Sequence, residues 1–225
     1  MQTGSREAFP SARSETTRAA LVRAALDLFG AKGFEATSTR EIATAANANI
    51  ASIAYHFGGK DGLRIACADF VVATMSAVIG AAEGAAKDAG SLSRTDAQAA
   101  LRRIVEGLVD AIVARDEARS LVRFVLREMF EPSPAFEQLD RAIRPIHARA
   151  CGLWSRATGA EPDSEATRLA VFALIGQVLY FRLARPEVMR ILNWAEIGPR
   201  EAAAIKSRIV FNLDAAIDVS RKSAP

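Results

Sequence analysis

From Thr17 onward the chain carries a helical hydrophobic period. Leu21, Ala24, Ala25, Leu28 and Phe29 fall on one face, and Gly33 ends the run. A short segment over 39–45 comes next, announced by Ser38-Thr39-Arg40-Glu41, a spacing in which hydroxyl and carboxylate cap a helix start reciprocally. Asn47-Ala48-Asn49 interrupts, 50–57 makes a second short helix, and Gly58-Gly59 breaks the chain again. Lys60 then opens a long helix through Leu63, Phe70, Val71, Met75, Val78 and Ile79. Beyond a loop at 90–94, amphipathic helices are predicted over 96–115, 118–130, 135–158, 164–183, 186–194 and 199–219. Pro145 predicts a kink or break inside 135–158. The 164–183 segment is apolar nearly all round, which predicts burial on more than one side. No strand pattern and no internal repeat emerges, so the fold class is all-α, with short helices in front of a larger helical bundle.

Composition narrows the function classes. Half of the 225 residues are hydrophobic and about a quarter are charged, which is globular, and the net charge of +3 includes only +2 on residues 1–64. Without a strongly basic patch, any nucleic-acid affinity rests on a few placed contacts and on dimerisation. Residues 1–15 are polar, aperiodic and free of an apolar core, predicting a mobile arm rather than a signal peptide. Cys67 and Cys151 are the only cysteines, too few for a disulfide framework or a four-thiolate zinc site, and read as reduced thiols of a cytoplasmic protein. The longest clean apolar run, 169–176, falls short of the ~20 residues a membrane span needs, so no membrane partner is expected. No phosphate-binding glycine loop, metalloprotease motif or partnered nucleophile is found, so no enzyme and no cofactor is expected. A helical enzyme with a site assembled from distant residues stays as an alternative. His147 and Cys151 stand four apart, a metal-ligand spacing, but two ligands without convergent partners are ordinary neighbours, and no metal site is assigned.

Residues 39–60 form the informative stretch. Two short helices around a tight turn, followed at once by a third, describe a helix-turn-helix. The turn asks for a residue that tolerates positive φ, and Asn47 is a good non-glycine choice there. Asn49 can cap the second helix through its side-chain oxygen. Ile42, Ala43, Ala46, Ile53 and Phe57 are expected to form the small core, leaving Arg40, Ser52, Tyr55, His56 and Lys60 outside. On double-stranded DNA, Thr39, Tyr55, His56 and Lys60 would hold phosphates, which set register, while Arg40 and Ser52 reach base edges and bias sequence. Ile50, Ala51 and Ala54 can touch thymine methyl groups.

Thr39-Arg40-Glu41-Ile42-Ala43, Ala45-Ala46-Asn47 and Ile53-Ala54-Tyr55-His56-Phe57-Gly58-Gly59-Lys60-Asp61-Gly62-Leu63 together resemble the N-terminal domain of TetR-family transcriptional repressors. Ala24-Ala25-Leu26-Asp27-Leu28-Phe29 with Gly33-Phe34 matches that family's first helix. Asn47 departs from the family's usual glycine, and the second helix is poorer in base-reading groups than in many relatives. Arg127 to Phe136 and Gly176 to Arg182 are similar to the branch with a YbiH/CecR-type ligand domain. The resemblance implies a homodimer that releases its operator when a small molecule enters the helical domain.

The expected organisation is a three-helix DNA-binding domain over 1–64 and a ligand-binding and dimerisation domain over 65–225. The dimer is expected to form through 164–183 and 199–219, with Ala202, Ala203, Ile205, Ile209, Leu213 and Ile217 as an apolar seam in a four-helix interface. The partner DNA is expected to be a roughly palindromic operator. A small, partly apolar effector would meet Phe124, Arg127, His147, Trp154, Gln177 and Tyr180, between 118–130, 135–158 and 164–183. A constitutive DNA-binding dimer without an effector is the remaining alternative.

Overall fold

The computed structural model describes residues 12–83, 92–130 and 133–223. Helix α1 spans Ala12–Lys32, so residues 12–15 of the expected arm are helical, and residues 1–11 lie outside the described residues. Next come α2 (Thr39–Ala45), α3 (Ala51–Phe57) and α4 (Lys60–Glu83). Helix α5 (Arg94–Leu108) starts two residues before the expected 96, and its last turns widen into a π-helical stretch, Val109–Val113. Residues 90 and 91 of the expected loop are outside the described residues. Helices α6 (Ala118–Phe130), α7 (Pro134–Thr158), α8 (Glu165–Leu183), α9 (Arg185–Leu192) and α10 (Pro199–Ser223) complete the chain. No strand occurs among the described residues. Pro145 does not break α7, which is assigned helical throughout Pro134–Thr158.

Two compact units result, Met1–Phe70 with Arg123–Gln138, and Val71–Val122 with Leu139–Pro225. The division places residues 123–138 in the first unit, whereas the sequence put them with the regulatory part. The reason is visible in three contacts. Phe124 is fully buried with its ring 6.4 Å from that of Phe29. Arg127 donates from Nε and Nη2 to the carbonyls of Gly30 and Ala31, each at 3.0 Å, satisfying orphan acceptors at the C-terminal end of α1. Arg64 Nε donates to Glu128 Oε1 at 2.8 Å, and Ser133 donates to the other carboxylate oxygen.

The first unit is held by Leu21, Val22, Ala25, Leu26 and Phe29 of α1 against Ile42 and Ala43 of α2, Ile53 of α3, and Leu63 and Cys67 of α4, all buried. Ala46 and Phe57, expected in this core, are half-buried. Burial pushes the Cys67 thiol well above its usual range, and the nearby Glu128 charge adds to that.

The core of the second unit runs from Ala97, Leu101 and Val105 through Val109 and Val113 to Leu153, Trp154, Val171, Leu174, Val178, Ile205, Ile209, Leu213 and Ile217. Arg185 donates to the Val113 carbonyl at 3.0 Å, while buried Arg182 donates to the carbonyls of Arg115 and Asp116, so the end of the π-helical stretch is capped by guanidinium groups. Two expectations need correcting here. Helix α8 is buried along one face only, through Thr167, Val171, Leu174, Val178 and Arg182, while Leu169, Phe172, Tyr180 and Leu183 stay exposed. The seam assigned to α10 is also wrong. Ala202, Ile205, Ile209, Leu213 and Ile217 are consumed by the chain's own core, because their near-four-residue spacing follows the face turned toward α5 and α8. The outward apolar residues of α10 are Phe211 and Val219, with Ala203, Ala204, Ala215 and Ala216 among them. By length and composition alone Lys60–Gly80 and Glu165–Leu183 could each cross a bilayer.

Candidate nucleic-acid interface

The front of the first unit is assembled from local rules. Ser38 accepts from the Glu41 amide at 3.2 Å while Glu41 Oε2 accepts from the Ser38 amide at 2.9 Å, a complete capping box that fixes the start of α2. Lys32 pairs with the same carboxylate. The Lys32 hydrogen bond first, and those from Ser38 after it, hold the Glu41 carboxyl down at about 2. At the end of α2, Asn47 adopts φ 49°, the left-handed conformation that turns the chain toward α3. Asn49 Oδ1 accepts from the Ala51 amide at 2.9 Å, capping α3. Gly58, at φ 72°, closes α3 and donates its amide to the Ala54 carbonyl at 2.9 Å, and α4 begins at Lys60. Gly62 is required by packing, since a Cβ there would lie 1.8 Å from the Phe57 carbonyl oxygen. The α3–α4 corner closes only around a glycine.

These constraints present the expected residues as follows. Arg40 is exposed on α2, and Thr39, the first residue of that helix, is half-buried. On α3, Tyr55 is 81% exposed, and Ser52 and His56 are half-buried. The Tyr55 and His56 rings meet edge-on at 4.9 Å. Lys60 is half-buried, with Nζ 4.2 Å from the Phe34 ring centroid, and the Arg64 guanidinium sits 4.3 Å from the same ring. Its cation–π contact with Phe34 restricts where Lys60 can reach. Arg18 lies 5.4 Å from the Phe57 ring centroid and brings a further cation to α3. Sequence reasoning missed Phe34, Arg18 and the Arg64–Glu128 pair as supports. Their partners are distant in sequence, and no local motif signals them.

The six residues expected around an effector are not gathered in one place. Phe124 and Arg127 belong to the first unit, with the structural contacts already described. Trp154 is a buried member of the second unit's core. His147 stacks on Phe172, ring centroids 4.3 Å apart, with Nδ1 3.6 Å from Cys151 Sγ. Burial, then the Arg168 charge, lower the His147 pKa below its ordinary 6.5, and burial raises that of Cys151. Among the described residues no group of three or more His, Cys, Asp or Glu gathers to hold a metal ion. Gln177 and Tyr180 do share a cavity, about 480 Å³, open to the outside between α8 and α10 and lined also by Ala173, Gly176, Arg208 and Asn212. Within it Asn212 Nδ2 donates to Gln177 Oε1 at 2.8 Å.

Comparison with known proteins agrees with this architecture. The family model of bacterial regulatory proteins, tetR family, matches residues 21–67. The model for the C-terminal domain of the HTH-type transcriptional dual regulator CecR matches residues 97–218. The CecR protein of Shigella flexneri is 28% identical over 205 residues, 90% of this chain and 92% of that one. The probable HTH-type transcriptional regulator YttP of Bacillus subtilis is 33% identical over 115 residues, 51% of each chain. Among solved structures, a TetR-family transcriptional regulator from Streptomyces coelicolor aligns with a TM-score of 0.65 at 18% identity, covering 92% of this chain and 97% of that one. AibR, solved in complex with isovaleryl coenzyme A and operator DNA, aligns with a TM-score of 0.64 at 16% identity, covering 86% and 96%. The capped α2–turn–α3 unit and a family match over more than half the sequence lead to one conclusion: the chain belongs to the TetR family of bacterial transcriptional regulators and carries a CecR-type C-terminal domain.

Proposed function

We propose that this regulator is a homodimeric repressor that holds a roughly palindromic operator and releases it when a small molecule binds its helical domain. The observation that carries the reading is the α2–turn–α3 unit, closed on its inner side by Ile42, Ala43 and Ile53 and polar or exposed at Thr39, Arg40, Ser52, Tyr55, His56 and Lys60. Thr39, Tyr55, His56 and Lys60 serve phosphates and Arg40 and Ser52 serve base edges, with one α3 per half-site in successive major grooves. Residues 1–64 supply DNA binding, and 65–225 supply effector binding and dimerisation. The protein works in the cytoplasm, where its operator is.

Dimerisation is supported by the outer faces of α8 and α10. Leu169, Phe172, Tyr180, Leu183, Phe211 and Val219 are large apolar groups left exposed by a single chain. A second copy covers them in an isologous four-helix contact. The effector reading is supported by AibR, whose structure holds an acyl-CoA thioester together with operator DNA. In this chain Gln177 and Tyr180, with Arg208 and Asn212, line the open cavity between α8 and α10 of the second unit, and His147 is held against Phe172 apart from that lining. A ligand acts only through its preference for the state that does not bind DNA, and a coupling of ~1–3 kcal/mol changes operator affinity about 5- to 150-fold.

The test is an operator-release screen with acyl-CoA thioesters, antibiotics and other small xenobiotics against the full-length protein. A compound that dissociates the complex, with a response blunted by Gln177→Ala, supports a sensor. Retention of the operator against every class would favour a constitutive DNA-binding dimer.

A further inference from the structure

The reading helix of this regulator is unusual in what it lacks. From Asn49 to Phe57 the sequence is Asn-Ile-Ala-Ser-Ile-Ala-Tyr-His-Phe, without an arginine, lysine or glutamine. Asn49, the one amide, has its carbonyl oxygen committed to the Ala51 amide. Ile53 is buried as the anchor of the helix. What the stretch leaves outside is mainly apolar: Ile50, 47% exposed, with Ala51 and Ala54, and Tyr55 beside them. Residues 50, 51 and 54 form one patch, because positions three and four apart are neighbours on a helix. An arginine or a free amide would read a purine by paired hydrogen bonds, and this patch offers neither. The thymine C5-methyl group is the apolar feature that a major groove presents.

We propose that the protein reads its operator largely through thymine methyl groups, with Ile50, Ala51 and Ala54 packing on the C5-methyls of one or two thymines in each half-site. The proposal rests on the DNA-binding reading above and specifies the base chemistry it uses. Two features commit the patch to a polyanionic duplex rather than to an apolar protein partner. Exposed Arg40 on α2 and Lys60 at the start of α4 flank it in the chain, and the Glu41 carboxylate between them in sequence is taken up by Lys32. The half-buried Ser52 hydroxyl then adds a hydrogen bond beside the methyl contacts instead of carrying the discrimination alone.

The full-length protein is offered a randomised double-stranded library, and the retained sequence is remade with deoxyuridine replacing thymine one position at a time. That exchange deletes a methyl and keeps every base-edge donor and acceptor. Losing one buried methyl should weaken binding about fourfold, and on the order of sixteenfold when both half-sites are changed. In Ile50→Ala the thymine-over-uracil ratio should fall toward one at the position Ile50 covers, and Ile50→Val should keep most of it. The deoxyuridine series needs no variant, so it stands even if Ile50→Ala fails to fold. A selected site whose affinity is unchanged by deoxyuridine at every thymine overturns this proposal alone. Failure to retain any sequence over random duplex overturns the sequence-specific operator reading and this proposal with it.

Discussion

Helix α10 carries two apolar stripes, one buried in the chain's own core and one left exposed, and a pair of substitutions two residues apart should separate the core role from the proposed dimer contact. Ile209 has no exposed surface and packs in the core of the second unit. Ile209→Ala should therefore cost about 2–5 kcal/mol of folding stability. At roughly 2–4 °C per kcal/mol for a chain of this length, the midpoint should fall by about 4–20 °C. Phe211 is 63% exposed in the single chain. A phenylalanine offers roughly 200 Å² of surface, so about 130 Å² is available to a second copy, worth about 3 kcal/mol at ~25 cal/mol per Å². Phe211→Ala should then weaken the dimer roughly 30- to 150-fold per copy, and an isologous interface counts the change twice. Sedimentation over a dilution series reads the dimer, and melting at each concentration separates folding from association, because a dimer's apparent stability rises with protomer concentration. Ile209→Ala should lower the midpoint at every concentration. Phe211→Ala should move the range in which the midpoint depends on dilution to higher concentration, while leaving the circular dichroism of the dissociated chain intact. A Phe211→Ala protein that stays dimeric at nanomolar concentration would refute the assignment of this outer face.

Three other outcomes are expected. Lys60→Ala should weaken binding to all duplexes alike and reduce the salt slope, whereas Arg40→Ala should cost about 1–3 kcal/mol and relax one base position; filter binding at several salt concentrations, with both variants unchanged, would show that another face is used. Glu128→Gln should destabilise the protein by about 3–5 kcal/mol, because the mostly buried Arg64 loses its counter-charge, while the double exchange Arg64→Met with Glu128→Leu should restore most of that stability in urea unfolding. The depressed Glu41 carboxyl contributes stability above its ordinary value of 4.5, and that contribution is lost as pH falls through about 2; Glu41→Gln should therefore lose less stability than the parent between pH 5 and 2, as followed by urea midpoints.

Local chemistry was readable and distant packing was not. The bounds of α2, the left-handed Asn47, the Asn49 cap and the Ser38–Glu41 box each depend on residues within four positions, so the sequence states them directly. Periodicity also located α6 and α8 closely, since their ends carry caps or helix-breaking residues. It could not say which stripe of α10 faces inward. Both stripes are apolar, and the branched set at 205, 209, 213 and 217 wins the interior. Nor could a period show that Arg127 reaches back to the end of α1, or that Phe124 meets Phe29, because those partners lie more than ninety positions apart. Arg127 and Phe124 read equally well as lining for a ligand until the three-dimensional partners are known. The π-helical stretch at 109–113 has no sequence marker of its own, and the arginines that cap it come from about seventy residues later.

Hydroxyl-radical footprinting of the full-length protein on its selected duplex tests the central claim most directly. A symmetric dimer with one α3 per half-site should protect two equivalent patches, centred one helical turn or a whole multiple of it apart, about 34–36 Å per turn, with two chains bound per site. Phe211→Ala should lose both patches together at dilutions where it dissociates. A single protected patch from one bound chain, or protection with no sequence preference, would contradict the account.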